Sequence, residues 1–227
     1  MRLTSTTANI IIGAFMLLIV FQAIVSVSAQ AQEPAIISEV RRNYGGSRAV
    51  SATFDLTIYW SVREREEKKN GELITAPGDR FRVTLGRDVF VSDGKTYWQY
   101  NERNSQVVVR NFSDIDPSTL PSALLSSFLS NRRFNEGVPI RNGTVEFNWT
   151  GDGAAAGDGY KRVSVVVATG RVHPQSGVIQ TLTLVDANDN VHTYTFTRTE
   201  FDKPVRNDTF QFRAPRGVEV MDMRDGR

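Results

Sequence analysis

Two histidines are the only imidazoles in this 227-residue chain, and it has no cysteine. A thiol nucleophile, a disulfide, a thiolate metal site and an N-terminal lipid-modified cysteine are therefore excluded. His173 precedes a proline in a turn and His192 sits in a predicted hairpin, so both read as structural or exposed rather than as bases or metal ligands. The 25 carboxylates are scattered over loops, and their spacing pairs no two of them for acid–base work. There is no Gly-x-Ser-x-Gly elbow, His-Glu-x-x-His motif, phosphate loop or dinucleotide fingerprint. Asp152 and Asp158, in the run GDGAAAGDG, lack the spacing of an EF-hand. The residue types favour binding over catalysis, with no metal and no cofactor.

The chemistry the spacing does offer is apolar and aromatic, and it concentrates in residues 79–110. Arg80 to Leu85 alternates charged and apolar side chains, and Gly86-Arg87-Asp88 marks a turn. Val89-Phe90-Val91 is a short apolar run, and the Asp-Gly of Ser92-Asp93-Gly94-Lys95 is a strong hairpin signal. Thr96 to Tyr100 is aromatic and Gln106 to Val109 is β-branched. The stretch reads as an antiparallel meander. Trp98 and Tyr100 share one strand parity, Tyr97 and Gln99 the other. Two roles stay open for Phe81, Trp98 and Tyr100: packing between sheet and helices, or lining a ligand cavity.

Several elements must position that meander. Residues 1–31 read as a secretory signal: Arg2 is the only charge before Glu33, residues 10–27 are mostly apolar, and Ala29-Gln30-Ala31 offers a cleavage site. The alternative is a retained anchor, because the run reaches the ~20 residues needed to span a bilayer. The remainder, 32–227, is expected to be one domain. Residues 34–44 predict a short helix with Ile36, Ile37, Val40 and Tyr44 at helical spacing. Residues 49–60 predict a long strand with Val50, Ala52, Phe54, Leu56, Ile58 and Trp60 on one face. Residues 61–70 are highly charged and read as a solvated hairpin end. A second helix is expected after Asp116-Pro117, carrying Leu120, Leu124, Leu125, Phe128 and Leu129. Residues 138–198 and 209–213 supply further strands. About eleven strands and two short helices make a mainly β (α+β) fold, an unclosed antiparallel barrel with helices on its concave side. The formal net charge of +2 argues against nucleic acid as a partner.

These pieces together resemble the LolA family, the periplasmic carriers of outer-membrane lipoproteins. The resemblance is carried by Pro77-Gly78-Asp79-Arg80-Phe81-Arg82, by Val91-Ser92-Asp93-Gly94-Lys95-Thr96-Tyr97-Trp98-Gln99-Tyr100-Asn101, by Gln106-Val107, and by Phe210-Gln211-Phe212-Arg213-Ala214-Pro215-Arg216-Gly217-Val218. It implies an unclosed barrel with a helical lid over a cavity for lipoprotein acyl chains. It implies a monomer that meets an inner-membrane release complex and an outer-membrane acceptor. The lipid-binding residues it suggests are Ile37 and Val40 on the first helix, Phe54, Leu56, Phe81, Val83, Trp98 and Tyr100 on strands, and Leu124, Leu125 and Phe128 on the lid. Phe81 matches a family phenylalanine at the cavity entrance, where a charged replacement is expected to spare folding and impair transfer. The sequence departs from the pattern at Ala76, where the family commonly has an arginine that holds the lid shut; Arg80 and Arg82 are the nearest cations. A module of the same fold that binds envelope lipid or senses lipoprotein is the alternative role.

Overall fold

The computed structural model describes residues 34–115, 137–141, 143–150, 160–170 and 176–224. The expected signal (1–31), the helix carrying Leu124, Leu125 and Phe128, the 151–159 loop and His173 lie outside these residues.

Among the described residues there is one α-helix, α1 (Ala35–Gly46), and there are twelve strands. They are β1 (Val50–Trp60), β2 (Arg65–Ala76), β3 (Arg80–Leu85), β4 (Asp88–Asp93), β5 (Thr96–Asn101), β6 (Gln106–Asn111), β7 (Val138–Arg141), β8 (Thr144–Thr150), β9 (Tyr160–Ala168), β10 (Val178–Asp186), β11 (Val191–Phe201) and β12 (Glu219–Asp222). One sheet holds them in the order β12-β6-β5-β4-β3-β2-β1-β11-β10-β9-β8-β7. Neighbours are antiparallel except β12, which runs parallel to β6. The end strands β12 and β7 do not pair, so the barrel is unclosed.

The alternation read in residues 49–60 builds β1, the spine of the sheet. Val50, Ala52, Phe54, Leu56 and Ile58 are buried on one face, here called the inner face. The register carries that face sideways in rows. Leu56 stands opposite Tyr194, then Leu182, Val165 and Phe147 on the next strands. Ile58 stands opposite His192, then Leu184, Val163 and Trp149. Each fully buried aliphatic or phenyl side chain contributes about 1.5–3 kcal/mol of transfer free energy, so these rows supply much of the driving force. A register shift at Thr53/Phe54 against β11 adds local twist. There Phe54 lies across β2 over Gly71: a Cβ on Gly71 would land 2.6 Å from the ring Cε2, 3.0 Å from Cε1 and nearer still to Cζ. Only glycine leaves room for the ring to cover the neighbouring backbone.

Twelve residues of helix are marginal alone, so α1 depends on docking. Ile37 and Val40 are fully buried. Asn43 Nδ2 donates to the carbonyls of Ser176 and Gly177 at 2.8 and 3.1 Å, and the Tyr44 hydroxyl accepts the Ile179 N–H at 3.1 Å. Tyr44 also meets Phe201 edge-on at 5.1 Å between centroids. The helix approaches β10 so closely that a Cβ on Gly177, itself at φ +75°, would sit 2.9 Å from the Cβ of Glu39.

The charged run is the solvated hairpin end expected, mostly exposed, and its second half, from Arg65, is also the start of β2, paired in register with β1 from Trp60 inward. Cross-strand backbone bonds override the weak strand propensity of Glu and Lys, whose side chains pair instead, as Lys69 does with Glu67 at 2.9 Å. Residues 209–213 are not a strand; Asn207–Phe210 is a 3₁₀ turn that buries Phe210. The extra strand is β12, whose parallel partner β6 is more than a hundred residues away, a pairing no local pattern announces.

Candidate functional site

The site is built from the turns outward. Asp93 Oδ1 accepts the N–H groups of Lys95 and Thr96 at 2.9 and 2.8 Å, which fixes the β4–β5 hairpin. With tight turns on both sides of β4, Phe81 falls opposite Ser92, and Ser92 opposite Tyr97. Phe81 and Tyr97 therefore share the inner face, with ring centroids 6.2 Å apart, and Phe112 lies 6.4 Å from Phe81. Leu73, opposite Val83, links this group to β1 through Ala52. Ile37 and Val40 of α1, Phe54, Leu56, Phe81 and Val83 all belong to one apolar cluster that also holds Tyr97, Ile115, Phe147, Val163, Leu182 and Phe196. Six of the expected lipid-binding residues are thus brought together on one wall.

Trp98 and Tyr100 are not on that wall. Their parity places them on the opposite, outer face, where Tyr100 meets Phe212 at 5.7 Å. The C-terminal segment crosses that face. Arg80 sits over the Phe210 ring at 5.3 Å, and Arg82 Nη1 reaches the Thr209 carbonyl at 3.4 Å. Arg80 Nε also donates to the Pro77 carbonyl at 3.0 Å, so both arginines already have partners on this face. Phe81 is 3% exposed, a buried member of the wall. A glutamate there would carry an unpaired carboxylate into apolar surroundings, so the expected sparing of folding is withdrawn.

The wall is dry. Burial pushes the Tyr44 phenol up to about 12 despite the stabilising hydrogen bonds from Ile179 and Thr199. Burial also lifts Tyr97 to about 12, partly opposed by the Arg110 charge, and lifts Tyr194 higher still. No group of three or more His, Asp or Glu side chains able to hold a metal ion occurs among the described residues. His192 Nε2 lies 3.6 Å from Asp186 Oδ2, and its ring stands edge-on to Trp60 at 6.3 Å. Asp186 is the hub of the β10–β11 loop. Burial pushes its pKa up, but hydrogen bonds from the Asn190 side chain and backbone, the Asn188 N–H and His192 outweigh it, and the carboxyl is held below its ordinary value.

The aromatic inner-face residues that sequence reasoning missed include Tyr97, Phe147, Tyr194 and Phe196. The signal for Tyr97 was present: two tight turns, Gly86-Arg87 and Gly94-Lys95, count Phe81 onto the same face. Tyr194 and Phe196 required the β1–β11 register, which only the folded chain displays.

The architecture is an unclosed, mainly antiparallel barrel with a helix docked by its apolar face and a continuous apolar wall. The chain belongs to the LolA family: the model described as outer membrane lipoprotein carrier protein LolA matches residues 46–213. A comparison with curated proteins found no significant match. Among solved structures, the chain is similar to an uncharacterized conserved protein from Thermus thermophilus, with a TM-score of 0.52 and 14% identity over 83% of this chain and 97% of that one. It is also similar to a LolA superfamily protein from Nitrosomonas europaea (TM-score 0.44, 8% identity, 78% and 96% covered) and to the lipoprotein LppX from Mycobacterium tuberculosis (0.43, 12%, 78% and 100%). Only the first is close enough to speak for the fold, and none speaks for function.

Proposed function

We propose that this protein is a carrier that holds the acyl chains of lipoproteins, or of other acyl lipids, against the inner face and moves them from the inner to the outer membrane. Residues 1–31 direct it to the periplasm and are removed, leaving 32–227 as the carrier domain. It works as a monomer, receives cargo from an inner-membrane release complex and delivers to an outer-membrane acceptor. It performs no catalysis.

The observation that carries this reading is the unbroken apolar wall from Phe81 through β1 to Phe147, in a chain of this family. Burying an acyl CH₂ is worth about 0.8 kcal/mol, so a fourteen-carbon tail left in water costs on the order of 10 kcal/mol. A shuttle must offset most of that without exceeding it, or delivery fails. Contacts from Leu, Val and aromatic side chains, with few directed polar bonds, suit that requirement. The test is native mass spectrometry of protein purified from its own cells. Bound lipidated polypeptide or acyl lipid is expected, and depletion should strand lipoproteins at the inner membrane. A lipid-free protein that turns over a substrate, or unchanged lipoprotein localisation on depletion, would overturn the reading.

A further inference from the structure

At the Trp60 end of β1 the inner face changes from apolar to charged. Trp60 continues the parity of Phe54, Leu56 and Ile58 and packs against the apolar cluster. Arg65 stands opposite it in the register, and Glu67 stands opposite Ile58. A cavity of about 360 Å³ opens there, walled by Trp60, Arg63, Arg65, Glu67, Asn188 and Asn190, with Val62 beside them.

The frame of this cavity is fixed. Asn190 Oδ1 accepts the Ser61 N–H at 3.0 Å while its Nδ2 donates to Asp186 Oδ2 at 2.9 Å, so one buried amide ties the turn after β1 to the β10–β11 loop. The one carboxylate in the walls is already answered: Glu67 accepts the Trp60 Nε1–H at 3.2 Å and pairs with Lys69 Nζ at 2.9 Å. Among the described residues, neither Arg63 nor Arg65 makes a side-chain hydrogen bond or an ion pair. Two exposed guanidiniums thus border a cavity that continues an apolar wall; the Arg65 charge is felt by Glu67, and neither guanidinium has its donors committed.

Guanidinium forks match the oxygens of phosphate, and two of them suit a phosphate better than a single carboxylate. From Trp60 back to Phe54 the strand runs about 20 Å, enough to lie alongside an extended acyl chain. We infer that the Trp60–Arg63–Arg65 cavity receives the phosphate of an amphiphile's headgroup while its acyl chains lie along the inner face. This rests on the carrier reading and adds a headgroup preference to it: the cargo includes phosphate-bearing lipids, and the headgroup sits at the Trp60 end.

The probes are dihexanoylphosphatidate, the uncharged dihexanoylglycerol and inorganic phosphate, titrated calorimetrically against the purified protein and its Arg63→Gln/Arg65→Gln variant. Both positions are exposed, and an unchanged thermal midpoint confirms that the variant is folded. The phosphatidate should bind the unaltered protein roughly ten-fold or more tightly than the glyceride, as charge-assisted hydrogen bonds allow. The double variant should lose that preference while keeping its affinity for the glyceride, and added salt should shrink the preference in the unaltered protein. Equal affinity for the two amphiphiles, or a preference that survives in the double variant, overturns the headgroup site alone. Inorganic phosphate binding as tightly as the phosphatidate also overturns it, leaving a free-phosphate site. Binding of neither amphiphile sinks the carrier reading as well.

Discussion

The contact between Phe54 and Gly71 gives a test in which the sign of a mutational effect should reverse. An alanine methyl at residue 71 would sit 2.6 Å from Cε2 and 3.0 Å from Cε1 of the Phe54 ring. Restoring ordinary carbon–carbon separations of ~3.5–4 Å requires the ring to retreat by about 1 Å. It has nowhere easy to go, because Tyr194 and Phe196 stand 5.6 and 5.9 Å away between centroids and the ring is 5% exposed. Overpacking of this kind costs about 1–3 kcal/mol, while replacing glycine by alanine in a strand returns roughly 0.5–1 kcal/mol. Gly71→Ala should therefore destabilise the protein by about 1–2 kcal/mol. Phe54→Leu removes the three ring atoms that clash and keeps most of the burial. In that background the same Gly71→Ala change should become neutral or stabilising by up to about 1 kcal/mol. Urea melts of the four proteins give the coupling energy, expected at about 1–3 kcal/mol. The displaced ring also intrudes on the inner face, so Gly71→Ala should weaken acyl-lipid binding and Phe54→Leu should relieve the loss. If Gly71→Ala destabilises both backgrounds equally, the ring does not cover residue 71 and the account of the β1–β2 bend is wrong.

Three further outcomes are expected. Phe81→Glu should lower stability by several kcal/mol, whereas Phe81→Leu should fold and cost about 1–2 kcal/mol; chemical denaturation compares them, and a stable Glu variant would contradict the burial of Phe81. Tyr100→Ala should loosen the C-terminal strap by removing its contact with Phe212, seen as faster amide exchange around 207–213, while acyl-lipid affinity stays unchanged; a loss of affinity would return the outer face to the site. Tyr44→Phe should cost about 1–3 kcal/mol by stranding the Ile179 N–H. The unaltered protein should keep its full tyrosine contribution below pH ~10 and lose it as pH rises towards the folded value of about 12 for Tyr44 and Tyr97. Absorbance of the phenolate against pH reads this directly: reversible ionisation of all six tyrosines near pH 10 without unfolding would refute it.

Much was legible in local patterns. Period-two alternation in residues 49–60 specifies β1 and which of its side chains turn inward, because a strand's side-chain period is fixed by its backbone. The helical spacing of Ile37 and Val40 specifies the buried stripe of α1, although the helix extends through Gly46. Turn chemistry at Gly86-Arg87 and Asp93-Gly94 specifies the meander, and with it the family resemblance. What local pattern could not supply was which face of each hairpin meets the rest of the sheet. Parity separates Trp98 from Tyr97, but only the chain of registers from β5 to β1 decides that Tyr97 joins Phe54 and Leu56, while Tyr100, on the parity of Trp98, meets Phe212 of a strap that arrives from residue 210. Arg82 shows the same limit, since its partner Thr209 lies 127 residues downstream and belongs to a segment whose sequence reads as a strand.

The sequence by itself determined a mainly β chain without catalytic motifs, its apolar strand faces and its family, because composition and short-range periodicity report directly on local backbone geometry. The tertiary structure decided the membership of the inner wall, the diversion of two arginines to the outer face and the gathering of Arg63, Arg65 and Trp60 around one cavity. Those outcomes depend on pairings between residues far apart in the chain, and such pairings are selected by the burial they achieve together rather than by any one segment.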